Sequence, residues 1–226
     1  TISRLGRSYI MHDLVILTTA VDRPELHSTV FPATLDYLKG LKCKWFITIN
    51  TIYGNVEATK ENFKSLFKDH DIEIYTYDTG GTKMDFMHSC EKLSELGYNC
   101  IPRLGYFWLE DDWQVKESVK LIDDLKEHMI GENCYISLNG RNELSFNPGI
   151  WSVDLFERMV YNKLQKAYLA ENYGNQKVMN PERICVYPKH KWTPTVKNFR
   201  IVNRYYDVGE AWRHNKLKGV QTWKLV

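Results

Sequence analysis

The sequence predicts an α/β fold with a mostly parallel central sheet flanked by helices, in one domain with an irregular C-terminal part. Short apolar runs without polar alternation alternate with amphipathic segments through the first two thirds of the chain, and the early runs end in polar side chains. A continuous apolar run is typical of a strand covered on both faces, and alternation with helices predicts parallel strands joined by crossovers.

The first predicted strand covers residues 14–19, and residues 20–24 form the loop at its carboxyl end. Pro24 suits the first turn of a helix, and residues 25–41 carry apolar side chains near helical spacing. Pro32 lies inside this segment, so the sequence predicts a break or a kink there.

The next elements repeat this alternation. Residues 44–50 predict a second strand that ends in Asn50, and residues 56–70 predict a helix. Residues 72–77 predict a third strand, shorter and nearer an edge of the sheet. The inner face of the predicted helix consists of Phe63, Leu66 and Phe67.

A turn with two glycines, residues 78–83, opens a further helix from about residue 84 to 96. Glycines before a helix let backbone amides approach a phosphate, and Lys83 would add a positive charge there. The alternative is a turn that only reverses the chain.

The most informative stretch is an apolar strand, residues 106–109, that runs directly into Glu110, Asp111 and Asp112. An unpaired buried charge is costly, so these acids should lie where the strand emerges, at the sheet edge where ligands bind. Glu110 and Asp112 alternate along an extended backbone and could together hold Mg²⁺ or Mn²⁺ with water and substrate phosphates. The alternative is a solvated acidic turn that caps a helix over residues 114–129.

The second half is less regular. Residues 134–138 and 184–187 predict strands, and residues 153–171 predict a helix. Residues 145–151 predict a loop that places Asn147 among aromatic residues.

Composition excludes several classes of protein. The chain has 226 residues, 43% of them hydrophobic, which suits one domain over residues 11–226. Residues 1–10 would be a flexible lead-in or an expression remnant. A net charge of +2 without a basic block argues against a nucleic-acid partner. Five cysteines without a C-x-x-C pair argue against a disulfide framework or a zinc knuckle. No apolar run is long enough to span a membrane and no signal-peptide pattern is present, so we expect a soluble, cytoplasmic protein, in the host cytoplasm if viral.

The order of these elements resembles the Rossmann-like GT-A fold of nucleotide-sugar glycosyltransferases. The resemblance covers residues 14–151 and is greatest to the large inverting family that carries Asp-x-Asp after an apolar strand, including its small viral and bacterial members. It depends on Thr18-Thr19-Ala20 with Asp22-Arg23, on Asn50, on the Gly81 and Lys83 turn, and on the acidic strand. Glu110 replaces the first Asp of the family motif. Asn50 stands where an Asp commonly contacts the base, which leaves recognition of uracil, guanine or thymine open.

The resemblance implies a role for each matched position. Residues 11–113 would form the nucleotide-binding half, and residues 114–226 the acceptor half. Asp112 would bind Mn²⁺ or Mg²⁺ directly, with Glu110 helping through ribose or water, and the metal would stabilise the departing nucleoside diphosphate. His190 resembles the late histidine that completes metal binding in some members, although it also suits an ordinary surface residue. The nucleotide-binding positions would be Thr19, Ala20, Asp22, Arg23, Asn50, Lys83 and Asp111.

An inverting transfer also needs a general base for the acceptor hydroxyl. Glu171 is preferred because Glu-Asn there resembles the acidic pair of the family, with Asp154 and Glu182 as the other candidates. Asp154 also fits a helix start and Glu182 a plain turn, and a retaining enzyme would need no such base. Asn147 and Trp151 are candidates to contact the donor sugar or the acceptor, but Trp151 also suits the core.

The sequence therefore predicts a metal-dependent hexosyltransferase. It would move a hexose from a nucleoside diphosphate sugar, preferably a UDP-sugar such as UDP-glucose, to a glycan, glycoprotein or other hydroxyl acceptor. One alternative is a sugar-nucleotide nucleotidyltransferase, which usually carries a glycine-rich loop after the first strand; residues 18–24 contain no glycine. Another is a non-catalytic carbohydrate-binding domain, against which the intact Glu110, Asp111 and Asp112 argue.

Overall fold

The computed structural model of the chain describes residues 11–77, 83–115, 120–127, 134–138, 148–157, 197–200 and 205–208. Its strands are β1 (Leu14–Val21), β2 (Cys43–Asn50), β3 (Asp71–Tyr77), β4 (Gly105–Glu110), β5 (Trp113–Val115), β6 (Cys134–Ser137), β7 (Gly149–Trp151), β8 (Lys197–Arg200) and β9 (Tyr205–Asp207). Its helices are α1 (Pro24–Tyr37), α2 (Val56–Leu66), α3 (Lys83–Tyr98), α4 (Leu121–Glu127) and α5 (Val153–Phe156).

Within these residues, seven strands form one sheet in the order β3-β2-β1-β4-β7-β6-β8. Strand β7 runs antiparallel to both of its neighbours, and every other adjacent pair is parallel. Strands β5 and β9 pair antiparallel outside this sheet. The predicted α/β fold with a mostly parallel sheet is confirmed, including the position of β3 at an edge.

The central strands are largely apolar because both faces of the sheet are covered. Successive residues of β1 point to opposite faces, so Ile16 packs into one hydrophobic cluster and Leu17 into another. Helices α1 and α2 supply Phe31 and Phe63 to the first cluster, whereas α3 supplies Leu93 to the second. This two-sided burial explains why the apolar runs of β1, β2 and β4 show no polar alternation.

Helix α1 begins at Pro24, as predicted, but it continues through Pro32 without a break. Pro32 is exposed, while Val30, Phe31 and Thr34 on either side of it are buried against the core. The helix is therefore held by tertiary packing on both sides of the missing backbone donor, which the local pattern could not reveal.

The predicted helix over residues 114–129 and the predicted loop over residues 145–151 were both wrong in part. Residues 113–115 form β5, which pairs with β9 about ninety residues later in the chain, and only Leu121–Glu127 is helical. Residues 149–151 form β7, inserted between β4 and β6. Both strands are three residues long and depend on distant partners, so no local periodicity marks them.

Part of the second-half prediction falls outside the described residues. Helix α5 covers only the start of the predicted helix 153–171, and the predicted strand 184–187 is not described. Residues 1–10 are likewise outside the described part. In the part that is described, no helix has both the length and the apolar character needed to cross a membrane.

Gly105, the first residue of β4, lies against the backbone of β7. A Cβ atom at this position would lie 2.5 Å from the carbonyl oxygen of Trp151. Because β7 is held between β4 and β6, it cannot move away without disturbing both ladders. We expect Gly105→Ala to lower the free energy of unfolding by about 1–3 kcal/mol, measured by chemical denaturation. An unchanged unfolding midpoint would contradict this close approach of β4 and β7.

Candidate functional site

The carboxyl ends of β1, β2 and β4 meet at a cleft with a volume of about 210 Å³. The strand order reverses beside β1, since β2 follows it on one side and β4 on the other. Such a reversal point is where open α/β sheets bind ligands. The cleft is lined by Thr19, Ala20, Val21, Arg23, Asn50, Ile52, Tyr53, Glu110, Asp111 and Asp112.

Asp111, the middle acid of the motif, is only 2% exposed, and protein groups occupy its carboxylate. Its Oδ2 accepts hydrogen bonds from the backbone N–H of Val21 at 2.9 Å and from Nε of Arg23 at 3.2 Å. Its Oδ1 accepts from Nη2 of Arg23 at 2.7 Å. Burial alone would raise the pKa of Asp111, but the charge of Arg23 and a bond from His27 hold it well below its usual range. Asp111 therefore acts as a buried counterion within the protein.

Arg23 joins Asp111 to Asp112. Besides its two bonds to Asp111, its Nη2 lies 3.0 Å from Oδ2 of Asp112. Burial alone would lower the pKa of Arg23, but the two carboxylates outweigh it and raise the pKa, so the guanidinium stays charged. The resemblance placed Arg23 in the base and ribose pocket. The structure places it at the cleft wall, with these donors directed at the acids.

His27 is a residue of the site that sequence reasoning missed. It is fully buried on α1, its ring stacks on Phe63 with centroids 4.5 Å apart, and its Nε2 lies 2.6 Å from Oδ2 of Asp111. Its Nδ1 is buried without a hydrogen-bond partner among the described residues, so the ring proton that donates to Asp111 is the one on Nε2. The only signal in the sequence is a histidine on the apolar face of α1, one turn after Arg23.

Glu110 and Asp112 both line the cleft, but β4 ends at Glu110 and the chain turns there, so the extended backbone that the alternation assumed does not continue to Asp112. Glu110 ends β4 in register with Thr19 of β1, and its Oε2 accepts a hydrogen bond from Nε1 of Trp113 at 3.0 Å. The side chain of Asp112 is 13% exposed, and burial together with the negative charge of Asp111 raises its pKa to about 6. A carboxylate in such surroundings would be stabilised by a cation.

Glu110 and Asp112 fit a hard divalent cation that keeps several water or phosphate ligands, as Mg²⁺ does. Among the described residues, no three His, Cys, Asp or Glu side chains form a group that could hold a metal ion. Oxygens of a bound substrate would therefore have to complete the coordination, together with any ligand outside the described residues.

Asp22 lies beneath the loop that follows β2. Its carboxylate is fully buried and accepts three backbone N–H groups, from Ile52 at 2.8 Å, Tyr53 at 2.8 Å and Asn55 at 2.7 Å. The resemblance placed Asp22 in the nucleotide pocket. The structure instead makes it the residue that fixes a loop whose members Ile52 and Tyr53 line the cleft.

The remaining predicted residues divide into three groups. Thr19, Ala20 and Asn50 line the cleft. Trp151 is 1% exposed in β7, with its ring centroid 5.2 Å from that of Tyr135, so it lies in the core, the alternative that the sequence left open. Asp154 lies in the first turn of α5, also as one alternative had it. Asn147, Glu171, Glu182, His190 and the side chain of Lys83 lie outside the described residues and stay predictions.

The chain matches no known protein-family profile and no curated protein sequence. Among solved structures, it is similar to the mannosyltransferase PcManGT from Pyrobaculum calidifontis, with a TM-score of 0.60 and 8% identity over 97% of this chain and 67% of that chain. Mouse xyloside xylosyltransferase 1 aligns with a TM-score of 0.37 and 12% identity over 71% of this chain and 72% of that chain, which is too weak to support an argument. At such low identity the first likeness shows the fold alone. The described residues therefore have an α/β fold of the GT-A type.

Proposed function

We propose that this protein is a metal-dependent glycosyltransferase that uses a nucleoside diphosphate sugar as its donor. The observation that carries the proposal is the position of Glu110 and Asp112, two carboxylates on a cleft at the reversal point of a GT-A-type sheet. The Pyrobaculum mannosyltransferase, which shares the fold, was solved in complex with GDP-mannose and Mn²⁺. That complex supports the same class of donor and cofactor here.

The residues of the site would have different roles in binding the donor and the metal. Glu110 and Asp112 would hold Mn²⁺ or Mg²⁺, and the metal would supply Lewis-acid stabilisation of the charge on the leaving diphosphate. Arg23 orients Asp112 through its bond to Oδ2, and Asp111 with His27 fixes Arg23 in turn. Thr19, Ala20 and Asn50 would contact the nucleoside, as the resemblance implied.

The finer parts of the reaction are proposals from the resemblance. Glu171 would act as the general base of an inverting transfer, Lys83 would approach the diphosphate, and His190 would add a metal ligand. Asn147 would contact the donor sugar or the acceptor. The transferred group would be a hexose, from a UDP-sugar in preference to others, and the acceptor a glycan or another hydroxyl compound.

Calorimetric titration with UDP, GDP and dTDP, each with and without Mn²⁺, tests the proposal. We expect one nucleotide to bind tightly only when Mn²⁺ is present, because the carboxylates of Glu110 and Asp112 repel a diphosphate without a bridging cation. Absence of binding for all three, with the protein folded, would overturn the proposal. A nucleotidyltransferase would then be tested with nucleoside triphosphates, and a carbohydrate-binding domain with glycans alone.

A further inference from the structure

The carboxylate of Glu110 is held by the indole of a tryptophan that follows it closely in the chain. Trp113 begins β5, directly after the turn at the end of β4. Its Nε1 donates a hydrogen bond of 3.0 Å to Oε2 of Glu110. An indole N–H can only donate, so Glu110 is the acceptor and one of its oxygens faces the ring. The bond therefore limits the positions that the Glu110 side chain can adopt.

The indole ring is itself fixed by packing. Trp113 is 7% exposed and belongs to the first hydrophobic cluster, together with Leu109 and Val115. A ring of this size buries a large apolar area, whereas its one polar group needs a hydrogen-bond partner when it is buried. The apolar body of the ring therefore anchors Trp113 in the core, while the N–H reaches a carboxylate at the cleft.

The strand that carries Trp113 is held by a segment near the other end of the chain. Strand β5 has three residues, and so short a strand has little stability of its own. Strand β9 supplies its partner, with Asp207 opposite Trp113. Directly after β9, the backbone N–H of Val208 donates to the carbonyl oxygen of Asp112 at 2.8 Å. Two distant parts of the chain therefore fix the position of the indole beside the acidic motif.

A carboxylate that ligates a metal must be held in one orientation, and a glutamate side chain has several rotatable bonds. Without a partner, the Glu110 carboxylate would sample many positions, and metal binding would have to order it. Groups that hold metal ligands in place commonly change metal affinity by about 10- to 100-fold. We propose that Trp113 is a positioning residue that holds the Glu110 carboxylate where it can ligate the metal. This inference rests on the proposed function, because it concerns the metal of the same site.

The variant Trp113→Phe removes the N–H donor and keeps an aromatic ring in the core. Calorimetric titration with UDP, GDP and dTDP, each with excess Mn²⁺, measures its effect on the nucleotide that the unmodified protein binds. We expect Trp113→Phe to weaken this binding about tenfold, because the Glu110 carboxylate is no longer held in place. Binding within about twofold of the unmodified protein, or tighter binding, would overturn the inference.

A double-mutant cycle with Glu110→Ala separates positioning from a general effect on the core. If Trp113 acts through Glu110, adding Trp113→Phe to Glu110→Ala should change the affinity by less than about twofold, because no carboxylate remains to be positioned. A further loss of about tenfold in the Glu110→Ala protein would show that the indole acts by another route, and it would overturn the inference.

Trp45→Phe is the matched control for Trp113→Phe. Trp45 is another buried tryptophan of the first hydrophobic cluster, but its Nε1 has no hydrogen-bond partner among the described residues. It lies in β2, outside the lining of the cleft. This variant removes the same atoms from the core and should keep the nucleotide affinity of the unmodified protein. A loss equal to that of Trp113→Phe would contradict the positioning role.

If Trp113→Phe does not fold, the indole N–H signals in the proton NMR spectrum of the unmodified protein test the same contact. One indole signal should shift in the Glu110→Gln variant. The same signal should broaden when Mn²⁺ and the nucleotide are added, because its proton is bonded to a ligand of a paramagnetic ion. If no indole signal has both properties, the inference is overturned.

The result for the unmodified protein separates this inference from the proposed function. If the unmodified protein binds one nucleotide with Mn²⁺ and Trp113→Phe binds it equally well, the inference fails while the proposed function stands. If the folded, unmodified protein binds none of the three nucleotides with Mn²⁺, both proposals fail.

Discussion

Asp112→Ala should abolish Mn²⁺-dependent binding of the preferred nucleoside diphosphate and the turnover of its sugar. Asp112 is one of three carboxylates that line the cleft, and one of the other two, Asp111, is already engaged by Arg23 and the backbone of Val21. Metal-based charge stabilisation amounts to several kcal/mol, so we expect a loss of at least about 100-fold in nucleotide affinity with Mn²⁺. Calorimetry with and without Mn²⁺ measures it.

The fold should survive this change, because Arg23 keeps its two bonds to Asp111. Circular dichroism and the denaturation midpoint would establish that. Asp69→Ala is the control, since Asp69 is an exposed acid after α2 that lies outside the cleft. If Asp112→Ala retained metal-dependent nucleotide binding, the assignment of the metal site to this motif would be refuted.

Arg23→Ala should lower the free energy of unfolding by about 3–5 kcal/mol, because it leaves the buried carboxylate of Asp111 without its cation. Arg23 and Asp111 have side chains only 5% and 4% exposed, and they are joined by two hydrogen bonds. Arg23→Lys should rescue this only in part, since an ammonium group cannot bridge two carboxylates in the fork geometry of a guanidinium. Urea denaturation measures both variants.

Arg103→Ala is the matched control. The guanidinium of Arg103 pairs with Asp13 at 2.7 Å, but its side chain is 57% exposed. Exposed ion pairs are screened by water, so we expect a change below about 1 kcal/mol. Equal losses for Arg23→Ala and Arg103→Ala would contradict the view that Arg23 supports a buried acidic centre.

The three consecutive acids thus have different surroundings and different roles. All three line the cleft, but Glu110 and Asp112 are the candidate ligands, whereas Asp111 is a structural counterion held by Arg23 and His27. This division follows from the end of β4 at Glu110, after which the backbone turns and places Asp111 among donors from β1 and α1. If all three acids were counted as available, the number of metal ligands would be overestimated.

The sequence by itself determined the sheet and the position of the acids. Runs such as those of β1 and β4 can be satisfied only by burial on both faces, which requires a sheet covered by helices. Acids that follow such a run must lie at its exit, because they cannot remain unpaired in the apolar layer. Glu110, Asp112 and Asn50 could be placed at the cleft in the same way, because each lies at or just after the end of an apolar run.

Only the tertiary structure decided which side chains meet those acids and how each polar group is oriented. The bond from His27 to Asp111 spans 84 positions, and the pairing of β5 with β9 joins segments similarly far apart. A hydrogen bond from Ser89 to Asn50 and the use of Asp22 to fix the loop after β2 also depend on distant contacts. Local periodicity reports burial along one element, whereas a hydrogen bond between elements depends on where the completed sheet places both partners.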